Sequence, residues 1–108
     1  MAGDDFIEYL RGDLLRDVPE LTTRAMFGGH GVYSRGAIVA IVIGGTLYVK
    51  ADDELAAELE QLGSEQFVYT RKDGKSAAMK YWTLPDDAVE NADAAAGWIE
   101  RAYRVSIS

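Results

Sequence analysis

The sequence predicts an α+β domain: a curved antiparallel sheet of five strands with helices packed on it, in the order α-β-β-β-α-β-β-α. Three observations carry that reading. Apolar residues recur at helical spacing in three separate stretches. Between those stretches lie short β-branched or aromatic runs, joined by Gly-Gly and Asp-Gly pairs that mark hairpins. At 108 residues the chain suits one domain, residues 1–108, around one core.

Phe6, Leu10 and Leu14, with Ile7 and Leu15 beside them, predict a helix over about 4–16. Asp4 or Asp5 is its expected cap, Gly12 weakens it, and Pro19 bounds it. Next comes RAMFGGHGVYSRG, residues 24–36, with four glycines and the chain's single histidine. We read it as one long first strand that bends, Arg24–Phe27 pairing in one part of the sheet and Val32–Ser34 in another. Arg35-Gly36 then turns the chain into AIVAIVI, a fully buried strand. Gly44-Gly45 is a hairpin signal, and TLYVK returns from it. Asp52 caps a second helix, Asp53 and Glu54 suit the positive end of its dipole, and Gly63 stops it. Leu55, Leu59 and Leu62 line one face of that helix. QFVYTR and SAAMKYW flank KDGK as another hairpin. LPDDAVE reads as a turn or short helical piece, and a third helix runs from about Asn91 to Arg104, with Trp98, Ala102 and Val105 at helical spacing.

Hydrophobic content of 48% and charged content of 27% are those of an ordinary globular protein. The longest apolar run is AIVAIVI, far short of the ~18 residues that span a bilayer. MAGDDFIEYL is acidic where a secretory or transit signal is basic, so a cytoplasmic location without membrane attachment is expected. The absence of cysteine rules out disulfides and thiolate metal ligands. A net charge of −7 argues against direct nucleic-acid binding. The charge is segregated: the predicted helical regions carry −13 and the strand regions +6, giving an acidic helical side and a comparatively basic sheet.

No catalytic, cofactor-binding or metal-binding residues are expected, and the chain is not read as an enzyme. Gly29-His30-Gly31 begins a dinucleotide fingerprint, but Ser34 stands at the third glycine position and more strand follows where a helix is required. Gly74-Lys75-Ser76 lacks the upstream glycine of a phosphate loop. His30 could act as a base for Ser34 only if both side chains share a face, and no second histidine exists. One histidine with scattered carboxylates makes no tetrahedral site. Met26, Phe27, Gly28, Gly29 and Gly31 are therefore assigned a structural role.

Two surfaces stand out. AIVAIVI is apolar on both alternating sets, so helices cover one face while the other meets a partner, a second protomer, or cover from Tyr48, Phe67, Tyr69, Tyr81 and Trp82. In YTRKDGKSAAMKYW, Arg71, Lys72, Lys75 and Lys80 stand against a single Asp73, interleaved with Tyr69, Tyr81 and Trp82. That candidate interaction set suits a small anionic ligand or a single-stranded nucleic acid; the plainer reading is a solvated hairpin whose lysines discourage edge pairing.

Met26-Phe27-Gly28-Gly29-x-Gly31, Leu47-Tyr48-x-Lys50-Ala51-Asp52 and Tyr81…Leu84-Pro85, in that order over about residues 4–104, resemble the TfoX N-terminal domain family of competence regulators (TfoX/Sxy). The resemblance implies a two-layer α+β domain similar to YjbR and type III secretion chaperone folds. It implies no catalytic residues, and His30 stands where the family commonly has an aromatic. Longer members carry a further domain similar to helix-hairpin-helix DNA-binding modules and act with the cyclic-AMP receptor protein. This chain, ending at Ser108, is expected to stand alone without it. The expected function is a non-catalytic regulatory or interaction domain with a protein partner, such as a transcription regulator, or a second copy in a homodimer, and without a cofactor.

Overall fold

A computed structural model describes residues 2–26, 28–70 and 72–108. Helix α1 (Ala2–Tyr9) begins ahead of Asp4 and Asp5, which are helical residues instead of caps. It runs into a widened turn over Leu10–Leu14, where the Leu15 N–H donates to the Leu10 carbonyl at 2.7 Å. This five-residue spacing adds one residue to the turn, so Leu10, Leu14 and Leu15 all become buried. A regular helix would turn one of the adjacent leucines outward.

Six strands follow: β1 (Leu21–Met26), β2 (Gly29–Ser34), β3 (Ala37–Ile43), β4 (Thr46–Lys50), β5 (Gln66–Thr70) and β6 (Ser76–Thr83). Helix α2 (Asp53–Gln61) separates β4 from β5, and α3 (Asp86–Val89) and α4 (Ala92–Ile107) close the chain. All neighbouring strands are antiparallel, in the order β1-β2-β3-β4-β6-β5.

The sheet thus has six strands, one more than the sequence predicts. The difference lies in the glycine stretch, which is a hairpin and not a bent strand. Met26 pairs with Gly29 and Leu21 with Ser34, so the chain reverses completely between β1 and β2. Gly28 has φ +76°, a left-handed conformation that lets the reversal occur within two residues. Gly29 is needed for a different reason. A Cβ there would lie 2.1 Å from the Val42 carbonyl oxygen of β3. An irregularity of register does occur further along, between β2 and β3: Val32 pairs with Ala40 and Tyr33 with Ile38, so Val39 of β3 is the extra residue. Phe27 lies outside the described residues.

Local signals elsewhere are met. Ser34 pairs with Ala37 and Ile43 with Thr46 across the two-residue loops Arg35-Gly36 and Gly44-Gly45. The Asp52 carboxylate accepts from the Leu55 N–H at 2.9 Å, and the Asn91 side chain accepts from the Ala94 N–H at 3.1 Å. The chain leaves α2 at Gly63, where the Ser64 N–H donates to the Leu59 carbonyl at 3.0 Å.

The core fills one side of the sheet. Val32, Ala40, Val49 and Trp82 face one another in successive pairs across β2, β3, β4 and β6, and all are buried. Leu10, Leu14 and Leu15, Leu55 and Leu59 of α2, and Ile99 and Ala102 of α4 belong to the same cluster. Helix α4 lies over β3 and β4, and α2 over β6. Two ion pairs tie α4 to its surroundings: Arg101 forks onto the Glu58 carboxylate of α2, and Arg35 of the β2–β3 loop binds Glu100 while its guanidinium sits 3.6 Å above the Tyr103 ring.

Candidate functional site

Strand alternation sends the other half of the sheet's side chains away from the helices. Gly31, Ile41, Tyr48 and Thr83 pair in a row across β2, β3, β4 and β6 on that open side, as do Lys50 and Tyr81. The sheet curls there into a groove of about 520 Å³. Met26, Ile38, Ile41 and Ile43 form one wall; Phe67, Tyr69, Met79 and Tyr81 form the other, with His30 at one end. Every lining residue belongs to a strand, and no helical residue among the described ones covers it. Tyr48 and Phe67 meet with ring centroids 4.9 Å apart, which gives the floor partial cover. Tyr69 stays 54% exposed and Met79 39%, so the groove is open to solvent along that wall.

The electrostatics of this face are simple. None of the six strands contains an aspartate or glutamate, while Arg24 and Lys50 lie on the open side. The Arg24 guanidinium is 5.9 Å from the Tyr33 ring centroid, and Lys50 stands opposite Tyr81. Neither forms a salt bridge among the described residues. Burial pushes the Tyr81 phenol above its ordinary pKa, and the neighbouring Tyr33 adds to the rise.

The residues of the basic-aromatic hairpin do not form one surface. Tyr69 and Tyr81 line the groove, but Trp82, one position further on, points into the core. Lys80 shares Trp82's side of the strand and borders a shallow pocket with Asp52, Asp53 and Glu60. Lys72 and Lys75 are exposed in the loop between Thr70 and Ser76, where Asp73 accepts from the Lys75 N–H at 3.0 Å. Arg71 lies outside the described residues. Of the glycine motif, Met26 is a groove wall, Gly28 and Gly29 make the hairpin, and Gly31 lies beneath Met26, whose Cε would be 2.9 Å from a Cβ there.

Ser34 is a buried structural residue: its hydroxyl donates to the Pro19 carbonyl at 2.7 Å and accepts from Arg35 Nε at 3.3 Å. His30 is four residues away along an extended strand, roughly 13 Å, beyond any base–nucleophile contact. Among the described residues no group of three or more His, Cys, Asp or Glu side chains is placed to hold a metal ion. No described helix is long and apolar enough to cross a membrane. The groove residues Met26, Phe67 and Met79 escape a search for chemistry-bearing side chains. The signal that finds this face is the doubly apolar AIVAIVI.

The family model for the TfoX N-terminal domain matches residues 13–106. The DNA transformation protein TfoX1 of Aliivibrio fischeri (strain ATCC 700601 / ES114) is 33% identical over 60 residues, covering 56% of this chain. That match spans 29% of the relative's own length. The match runs through the hairpin, the sheet and α4 alike, and with it the chain belongs to the TfoX N-terminal domain family.

Proposed function

We propose that this chain is a non-catalytic protein-interaction domain that docks a protein partner on the open face of its sheet. The observation that carries the reading is the groove between Ile41 and Tyr81, predominantly apolar and uncovered by any described helix. A contiguous apolar surface of this kind on a soluble domain marks a binding site more often than idle surface. Its make-up supports a protein partner: tyrosine, phenylalanine and methionine are enriched where proteins meet, and methionine adapts to irregular partners. The setting we propose is regulation of competence inside the cell, on the strength of the name DNA transformation protein carried by the Aliivibrio fischeri relative. A transcription regulator is the partner class in keeping with that setting, and a second copy of the chain is the competing occupant. The reading needs no cofactor. The basic-aromatic hairpin is not a single stacking platform for single-stranded nucleic acid, because Trp82 and Lys80 lie on the opposite side of the sheet from Tyr81.

The test compares two charge-bearing variants as bait for partner capture and then as ligands in titration against the recovered protein. Ile41→Glu places a charge in the groove; the Lys72→Glu, Lys75→Glu pair alters the exposed loop. Capture and affinity should be lost with the first and kept with the second. The reverse result would move the working surface to the hairpin loop and overturn the reading. Unchanged circular dichroism of both variants secures the comparison.

A further inference from the structure

We infer that the occupant of the open face is an acidic amphipathic helix of a partner protein, its apolar stripe in the groove and its carboxylates on Arg24 and Lys50. This rests on the interaction reading above and adds the chemistry of the partner. Three observations carry it.

The first is charge. The six strands hold no acidic residue, and the cations flanking the groove are free of salt bridges among the described residues. Arg24 is two residues from Met26 on one wall, and Lys50 pairs with Tyr81 of the other. An apolar seat with a cation at each side complements a ligand that is apolar on one face and anionic at its borders. A second copy docked face to face repeats the same patch about a twofold axis and sets like-charged borders against each other.

The second is hydrogen bonding. Between the groove walls the sheet is continuous from β3 through β4 to Tyr81–Thr83 of β6, and the backbone groups there are engaged in ladders with one another. A segment laid on that face gains no main-chain partner from it and must satisfy its own backbone. A helix does so; an extended peptide does not. The opposite face of the same sheet already packs helices in this way, with α4 across β3 and β4.

The third is openness. Tyr69 at 54% exposure and Met79 at 39% leave one wall incomplete. A small apolar ligand would keep much of its surface in water there, where ligand pockets bury most of theirs. A helix brings its own flank to cover Tyr69 and Met79.

Fluorescence anisotropy of the full chain with two labelled synthetic helices tests the inference. One is an 18-residue peptide with a leucine stripe and glutamates elsewhere; the other replaces every glutamate by lysine. The quantity read is the part of each affinity that the uncharged substitution Ile41→Asn removes, because the acidic helical side attracts the lysine peptide by itself. The glutamate peptide should bind the groove about tenfold tighter at low salt, the size that two exposed ion pairs supply, and the difference should shrink as salt rises. It should also gain helical circular dichroism on binding. Combined Arg24→Glu and Lys50→Glu should reverse the preference. Equal groove affinities, tighter groove binding by the lysine peptide, an extended bound peptide, or oleate outcompeting the glutamate peptide would each overturn the acidic helix while leaving the docking face intact. Peptide binding wholly insensitive to Ile41→Asn would overturn the docking face itself.

Discussion

Replacing Gly29 by alanine adds one methyl group and should be among the most damaging small changes available to this chain. The new Cβ would stand 2.1 Å from the Val42 carbonyl oxygen, 3.2 Å from its carbon and 2.8 Å from Ile43 Cδ1. The isoleucine tip can rotate away. The carbonyl cannot, because Val42 sits in the β2–β3 ladder opposite His30. Close carbon–oxygen contacts stop at about 3.3 Å, so the strands must separate locally by roughly 1.2 Å. Overpacking of that kind costs about 1–3 kcal/mol, and one or two stretched ladder bonds add about 0.5–1.5 kcal/mol each. The total is about 1.5–6 kcal/mol, or a fall in melting temperature of roughly 6–48 °C at about 4–8 °C per kcal/mol. Gly28→Ala is the control. Nothing lies within 4 Å of a Cβ there, so only the left-handed backbone at φ +76° is penalised, at about 1–2 kcal/mol. Urea and thermal unfolding followed by circular dichroism would rank the two variants. Wild-type stability in Gly29→Ala, or a greater loss in Gly28→Ala, would refute the close approach of β2 to β3.

Gly97 lies exposed inside α4 with nothing within 4 Å of a Cβ, so Gly97→Ala should stabilise the fold by about 0.8–1 kcal/mol in urea denaturation. The hydrogen-bonded Arg101 guanidinium lowers the Glu58 pKa, so this pair's contribution is present above the ordinary carboxylate value and is lost as pH falls through the folded value. Glu58→Gln should therefore flatten the acid limb of a stability–pH curve. The raised Tyr81 pKa has the opposite sense: the unfolded chain ionises first, so stability is intact below the ordinary tyrosine value, about 10, and is lost as pH rises through the folded value. Tyr81→Phe should remove that alkaline loss, read by unfolding at a series of high pH values.

What the sequence makes legible is what local chemistry decides. The Asp52 cap, the Gly63 stop and the Gly44-Gly45 loop each depend on a few adjacent residues, and each forms where the sequence places it. The glycine stretch is different, because a bend and a reversal use the same residue type. Which one forms is decided by pairing of Leu21–Met26 with Gly29–Ser34, a choice of register that local periodicity does not carry. The contact that demands Gly29 comes from Val42, on another strand. Arg35 is equally opaque: its partners Glu100 and Tyr103 lie more than sixty residues away in α4. The division of the hairpin was readable in principle, since adjacent Tyr81 and Trp82 must face opposite ways in a strand. Composition hides that parity, because counting cations and aromatics takes no account of which face each one joins.

The glycine hairpin and the open groove, separate in the sequence, are one construction in the fold. Gly28 allows the reversal, and Gly29 lets β2 lie close against β3. Together they bring β1 back alongside β2, and Gly31 leaves room for Met26 to fold over the sheet as the groove's wall beside Ile41 and Ile43. Arg24, two residues earlier on β1, comes to the same face with it. A scaffold motif therefore shapes the open apolar face, and in the docking mode we propose none of its glycines needs to touch a partner. The charge pattern fits the same division: the predicted helical regions carry −13, while the open side of the sheet carries Arg24 and Lys50 and no strand holds an acidic residue. A domain built only to bury a core would gain nothing from an outer face of isoleucine, methionine and tyrosine bordered by Arg24 and Lys50, which form no salt bridge among the described residues. A domain built to receive an apolar and acidic partner would need that arrangement.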